Sequence, residues 1–378
     1  MEPVAVTVLT GFLGAGKTTL LQALIRDSRF SDTAVVINEF GEIALDHALL
    51  EAAPEVTVEV TSGCLCCTIR GDIRRALMDL YGRAERGEVP VFSRLIVETT
   101  GLADPAPVIH TLMTDPRLAR RFTLGGIVTL VDAVNGLRTL DAHPESVKQV
   151  AVADSVVFTK TDLVRDPLSV RDLDALKALV RRLNPSIRLF DRGAAGFDPA
   201  ALFRSAFYDP ATKTTDVSRW LRDEAFLAGP DADHEHAHQH AHQHTHDHTH
   251  DHGMAGERPD VNRHSDLIRA YCVVRDKPIS GVALAAALDL LRANQGADLL
   301  RVKGIVNVRE RPDTPLVIHG VQHVFHPPAW LANWPDADRR TRIVFVTRGI
   351  PQAMIEEFFD AWLAADPDSP ALAPLRPR

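Results

Sequence analysis

Three thiols stand within four residues at Cys64, Cys66 and Cys67, directly after Gly63. Reduced thiols are soft ligands that suit Zn2+, Cu(I) and related ions. The fourth cysteine, Cys272, is expected in the core of a strand, so no second pair exists to complete a closed four-thiolate site. Three protein ligands leave a coordination position open for a donor or a recipient of the ion. The side chains of neighbouring Cys66 and Cys67 need not both reach one ion. A redox pair is the other chemistry this cluster allows.

A second group of residues is suited to phosphate. Gly11-Phe12-Leu13-Gly14-Ala15-Gly16-Lys17-Thr18 fits G-x-x-x-x-G-K-[ST]. The glycines let the backbone curl so that its amides face phosphate oxygens, and a helix N-terminus adds a favourable field. Gly11, Gly14, Ala15, Gly16, Lys17, Thr18 and Thr19 are the expected nucleotide contacts, with Lys17 on the β- and γ-phosphates and the Thr18 hydroxyl on Mg2+. Further on, Leu95-Ile96-Val97-Glu98-Thr99-Thr100-Gly101 is an apolar strand ending in a carboxylate and then a glycine. Glu98 is expected to orient Mg2+ through water, and the Gly101 amide to approach the γ-phosphate. Lys17, Thr18 and Glu98 are therefore the candidate catalytic residues.

Thr159-Lys160-Thr161-Asp162 follows another apolar strand. A carboxylate at Asp162 can accept from both guanine N1–H and N2–H2, which adenine does not offer, so the segment selects GTP, with the Lys160 stem over the base. Asn38-Glu39-Phe40-Gly41-Glu42 and Asp46 follow the second strand. Their acidic groups, Glu42 among them, are candidates to touch Mg2+, the attacking water or a transported metal.

These groups need a scaffold that brings strand ends together. Val4–Thr10, Thr33–Ile37, Val56–Thr61, Arg94–Glu98, Gly126–Val131 and Ser155–Thr159 read as strands, and Thr18–Ile25, Asp72–Ala84 and Leu173–Leu183 as helices. The alternation predicts an α/β fold with a mostly parallel sheet flanked by helices, spanning residues 1–208. From 265 to 378 strands group beside two helices: Ile268–Val274, Val282–Arg292 (helix), Leu300–Val308, Leu316–Val324, Arg342–Thr347 and a helix from Gln352 to about Ala364. This predicts a smaller α+β domain.

Residues 209–264 form a linker in which every even position from His234 to His252 is histidine. No apolar residue larger than alanine interrupts that tract, so it cannot bury enough surface to fold. Mostly neutral imidazoles there would make a high-capacity, low-specificity metal reservoir.

Composition narrows the function further. A formal charge of −8 without a basic stripe argues against nucleic acid as partner. No apolar run approaches the roughly 20 residues that span a bilayer, and the N-terminus carries no signal-peptide pattern. Four cysteines, three of them clustered, form no disulfide framework, and thiol ligands need a reducing compartment, so a cytoplasmic protein is expected.

Taken together, the G-F-L-G-A-G-K-T-T-L loop, N-E-F-G-E, G-C-L-C-C, E-T-T-G-L-A-D-P and T-K-T-D, in this order, resemble the CobW family of metallochaperone GTPases. These are relatives of the urease and hydrogenase nickel-insertion GTPases. The resemblance runs from Val6 to about Leu202, and the segment from about Leu267 to Ala364 is similar to the family's second domain. It implies a P-loop fold, GTP hydrolysis with Mg2+, a metal site on Cys64, Cys66 and Cys67, and delivery of the ion to a client metalloprotein. Zinc is the expected cargo, with cobalt or nickel for a cobalamin pathway or metalloenzyme as the alternative. A homodimer is compatible with it. Thr159 departs from the pattern, since related GTPases usually carry asparagine there, and one base contact is expected to weaken. Passive metal storage on a nucleotide-binding fold and a P-loop kinase or ATPase acting on a small molecule are the competing readings.

Overall fold

The central strands of the N-terminal part carry apolar, β-branched residues on both faces, which suits a sheet covered by helices on each side. The computed structural model describes residues 3–39, 57–61, 68–203 and 267–363. Cys64, Cys66, Cys67, Glu42, the histidine tract and both expected domain boundaries lie outside the described residues.

Seven strands form one wholly parallel sheet: β1 (Val4–Gly11), β2 (Thr33–Glu39), β3 (Thr57–Thr61), β4 (Arg94–Thr99), β5 (Phe122–Asp132), β6 (Ser155–Thr159) and β7 (Arg188–Asp191). Their order in the sheet is β3-β2-β4-β1-β5-β6-β7. The chain leaves β1 towards one edge, returns through β4, and then crosses to β5 on the other side. This reversal puts a crevice at the carboxyl end of β1, where open α/β sheets take their ligands.

The two faces of the sheet are distinct. Val6, Val8, Leu95, Val97, Val156 and Phe158 pack on one side against helices that include α2 (Thr68–Glu85), α3 (Ala106–Thr114), α5 (Pro144–Val152) and α6 (Pro167–Leu183). Leu9, Ile96 and Val157, one residue out of phase, pack on the other side with Leu20, Leu21 and Leu24 of α1 (Lys17–Ile25). The period-2 alternation thus supplies both faces from the same strands. α2 starts a turn before the helix predicted at Asp72, because the apolar stripe marks only its buried part. α3, α5, the short α4 (Gly136–Ala142) and the edge strand β7 were not expected from sequence.

The second sheet holds β8 (Ile268–Arg275), β9 (Leu299–Val306), β10 (Leu316–Val321), β11 (Val324–Phe325) and β13 (Thr341–Arg348), with β12 (Ala329–Trp330) beside β10. The pairings are antiparallel. α7 (Gly281–Gln295) and α8 (Gln352–Leu363) cover it, with Leu284, Leu288, Ile355 and Phe359 in its core. The strand predicted as Leu316–Val324 is instead a hairpin: Gln322 adopts φ 50°, and Val321 pairs with Val324. Cys272 is half-buried, not core, because Tyr271 and Val273 take the inward positions of an edge strand.

The two sheets share apolar packing. Ile268, Leu300, Val321 and Val346 of the second belong to the same buried cluster as Val6, Leu95 and Phe158 of the first.

Candidate functional site

The residues between β1 and α1 form a loop at the crevice. Gly16 has φ 89° at the N-cap of α1, a conformation that side-chain-bearing residues rarely adopt. The start of a helix after such a turn is where backbone amides receive an anion. Lys17 is buried, and its Nζ donates to the carbonyls of Gly11 at 2.8 Å and Phe12 at 3.3 Å. The ammonium therefore lies along the loop itself, where phosphate charge would be received. Thr18 is half-buried in the first turn of α1, and Thr19 is exposed beside it.

Two further strand ends meet the loop. Glu98 is buried on β4, level with Leu9 of β1. Close by, the Thr99 hydroxyl donates to the Thr10 hydroxyl at 2.8 Å. Gly101 lies so near the loop that a Cβ there would stand 2.6 Å from the Leu13 amide nitrogen and 2.8 Å from its Cα. Only glycine permits that approach. A hydroxyl in the first helical turn and a carboxylate on the neighbouring strand are hard oxygen ligands, a donor set that fits Mg2+.

The base-reading segment is tied to the same loop. Thr159, fully buried, donates from Oγ1 to the Ala15 carbonyl at 2.8 Å. Its hydroxyl thus clamps the phosphate loop, whereas the sequence suggested a weakened contact to a base. Lys160 has φ 58°, and its Nζ is 2.7 Å from Asp132 Oδ2 at the end of β5. Burial works to raise the Asp132 pKa. The Lys160 ammonium, the Asn135 side chain and the amides of Asn135 and Val134 outweigh it and hold the carboxyl below its usual range. Asp162 is exposed on the short turn Thr161–Leu163, open to solvent for a base.

Sequence reasoning missed three participants. Asp132 ends β5 just as Glu98 approaches the end of β4, and the same strand-end logic would have found it. Asp191, at the end of β7, accepts from the Thr161 hydroxyl at 2.6 Å and from the Gly193 amide at 2.8 Å, bracing the segment that carries Asp162. Gln149 donates from Nε2 to the carbonyls of Gly101 at 3.2 Å and Ala103 at 3.1 Å. No local pattern announces that contact.

A cleft of about 550 Å3 runs along the loop. Residues 12–15 form one wall, and α4 and α5 the other. Phe12 stacks on His143 across it, with ring centroids 4.3 Å apart. The walls include Gly14, Ala15, Asp132 and Lys160, so this space borders residues expected to hold the nucleotide.

A parallel sheet reversing at β1, a glycine-turned loop with a buried lysine and a second strand end joined to that loop define a P-loop nucleotide-binding protein. Residues 5–191 match the CobW/HypB/UreG nucleotide-binding domain, and residues 268–363 match the cobalamin synthesis protein cobW C-terminal domain. The chain belongs to the CobW family. Among similar proteins, the zinc chaperone YjiA of Escherichia coli is 28% identical over 359 residues, covering 95% of this chain and 98% of that protein. The zinc chaperone CobW of Pseudomonas aeruginosa is 29% identical over 366 residues, covering 93% and 89%. The zinc-regulated GTPase metalloprotein activator 1 of Schizosaccharomyces pombe is 34% identical over 191 residues, 49% of this chain and 44% of that protein. The fold is shared with the crystal structure of Zn(II)-bound YjiA GTPase from E. coli. The TM-score is 0.65 at 24% identity, over 96% of this chain and 99% of that one.

Proposed function

We propose that this chain is a GTPase that acts as a metallochaperone, with zinc as its cargo, held by Cys64, Cys66 and Cys67 and passed to a client protein when GTP is hydrolysed. The observation that carries the proposal is the joining of three strand ends at one loop: Lys17 within it, Gly101 against Leu13, and Thr159 on Ala15. The similarity to proteins named as zinc chaperones and as a zinc-regulated GTPase metalloprotein activator supports the choice of cargo.

The nucleotide is assigned to Gly11, Gly14, Ala15, Gly16, Lys17, Thr18 and Thr19 for its phosphates, and to Lys160 and Asp162 for its base. Lys17 and the loop amides stabilise charge on the transferring phosphoryl group, in a site already organised to do so. Mg2+, held by Thr18 with Glu98 behind it, supplies additional charge neutralisation when bound. The cysteines lie in sequence between β3 and α2, on the stretch leading from one nucleotide-sensing segment to the next. Ordering of those segments by GTP would assemble the thiols, and hydrolysis would release them, which gives the ion a direction of transfer. The histidine tract acts as a weaker reservoir that feeds this site. The setting is the cytoplasm.

A metal titration with and without GTP and Mg2+ tests the proposal on the wild-type chain, Cys66→Ala and a deletion of the tract. The tight zinc site should vanish in Cys66→Ala, tighten with GTP in the wild type and survive deletion of the tract. Loss of the tight site on tract deletion alone would move the cargo site away from the cysteines. Hydrolysis of ATP as fast as GTP would favour the small-molecule kinase or ATPase reading instead.

A further inference from the structure

One helix touches the phosphate loop, the Gly101 segment and the second sheet. α5 begins beside His143, which stacks on Phe12 of the phosphate loop. At mid-length it presents Gln149, which is 0% exposed and holds the carbonyls of both Gly101 and Ala103. The Gln149 backbone carbonyl accepts from the Thr129 hydroxyl of β5 at 2.8 Å. The orientation of its side-chain amide is dictated, because a flip would set its oxygen against both carbonyls. The helix ends at Val152, and there the second sheet takes hold. Arg301 of β9, 1% exposed, donates to the carbonyls of Val152 and Ala153, the latter at 2.7 Å, and pairs with Asp154. A guanidinium on the last carbonyls of a helix also meets the negative end of its dipole.

The same loop is approached a second time from the C-terminal part. Asp104 lies 3.4 Å from Gln322 Nε2 and 3.5 Å from Lys148 of α5. Val147, Gln149, Val150, Ala151 and Val152 are all buried, so α5 is packed on several sides.

We propose that Gln149 is the positioning residue for Gly101 and that Arg301 sets it from the far end of α5, so that the C-terminal sheet governs GTP turnover through this helix. The proposal rests on the reading that the chain hydrolyses GTP. It extends that reading by naming what controls the Gly101 segment. A displacement of Arg301, as when a client or metal engages the C-terminal sheet, shifts α5 along its axis. That shift moves Gly101 relative to Leu13, where the packing leaves no slack.

The test uses the full chain with two conservative variants. Gln149→Leu keeps the side chain's size and removes its amide. Arg301→Lys keeps the buried positive charge beside Asp154 and removes the fork that reaches two carbonyls. Each is expected to lower kcat about tenfold or more, the scale at which small misplacements act. KM for GTP should stay within about twofold, because Lys17, the amides of residues 14–18 and the base-reading segment are left in place. Amide hydrogen exchange without nucleotide should quicken over residues 99–105 in both variants and stay unchanged over β13. The double variant should lose little more than either single one, because both act on one path. Wild-type exchange over 99–105 in Gln149→Leu, or multiplying kcat losses in the double variant, overturns the relay. If Arg301→Lys does not fold, exchange in Gln149→Leu decides alone. If the wild-type chain hydrolyses no GTP, the proposed activity falls, and the exchange measurement still decides the relay.

Discussion

Thr159 shows how one hydroxyl can couple two halves of a nucleotide site. Its bond to the Ala15 carbonyl is buried, so removing the donor leaves an acceptor without solvent to replace it. Thr159→Val keeps the shape and deletes the bond, at a cost of about 1–3 kcal/mol when the loop is held in place. GTP affinity measured by titration calorimetry should therefore weaken about tenfold. At Gly101 the constraint is steric instead of polar. Gly101→Ala must push the added methyl against the Leu13 backbone, which cannot rotate away as a flexible side chain could. Single-turnover GTP hydrolysis should drop about a hundredfold, in line with a misplacement of roughly 1 Å. Lys17 and Gly101 could be picked out from the sequence because each sits in a short segment whose spacing carries its chemistry, whereas the loop contact of Thr159 could not, because it joins segments 144 residues apart. Nor could Gln149, because its role depends on a helix passing a loop 48 residues away in sequence.

Among the elements, those with a clear hydrophobic period were visible in advance. The strands β1, β4 and β6 carry apolar, β-branched runs, and α6 carries Leu173, Leu176, Val180 and Leu183 on one stripe. α4 and α5 escaped notice because each is short and they meet at His143-Pro144, so the hydrophobic period is interrupted between them. β7 is a four-residue edge strand, half-exposed throughout, with no alternation to read. Yet β7 matters, because Asp191 at its end braces Thr161 and Gly193 around the base-reading turn. Asp191→Ala removes both bonds at once while leaving the phosphate loop intact. The expected outcome is a loss of base discrimination: competition binding should show the preference for GTP over ATP reduced about tenfold, for a bond worth about 1.4 kcal/mol. Unchanged discrimination would mean that the turn holds its shape without Asp191.

At the scale of the whole molecule, the contact between the two sheets is also a cluster of charge. Asp154, Arg301 and Lys303 are each at most 3% exposed, and His319 lies beside them, stacked on His326 with ring centroids 4.8 Å apart. Burial depresses the His319 pKa well below 6.5, and the Coulombic influence of Arg301, His326 and Lys303 pushes in the same direction. The folded protein therefore keeps this imidazole neutral at pH values where the unfolded chain binds a proton. The unfolded state holds more protons throughout that window, so stability falls as pH falls from about 6.5 towards the folded pKa. Asp154 behaves differently. Burial alone would raise its pKa, but Arg301, Lys303 and the Ile127 amide bring it below 3.8, so its contribution is kept until pH falls below about 4. The two groups thus act in separate ranges, and His319 can be read without interference from Asp154 between about pH 6.5 and 5. Stability from urea unfolding of the wild-type chain and His319→Gln, measured at about pH 7.5, 6.5 and 5.5, should fall with different slopes. The wild type should lose up to about 1.4 kcal/mol more per pH unit below about 6.5 than the variant does. Equal slopes would mean that the imidazole takes up its proton within the fold. The joint between the sheets would then have to accommodate a further positive charge beside Arg301 and Lys303.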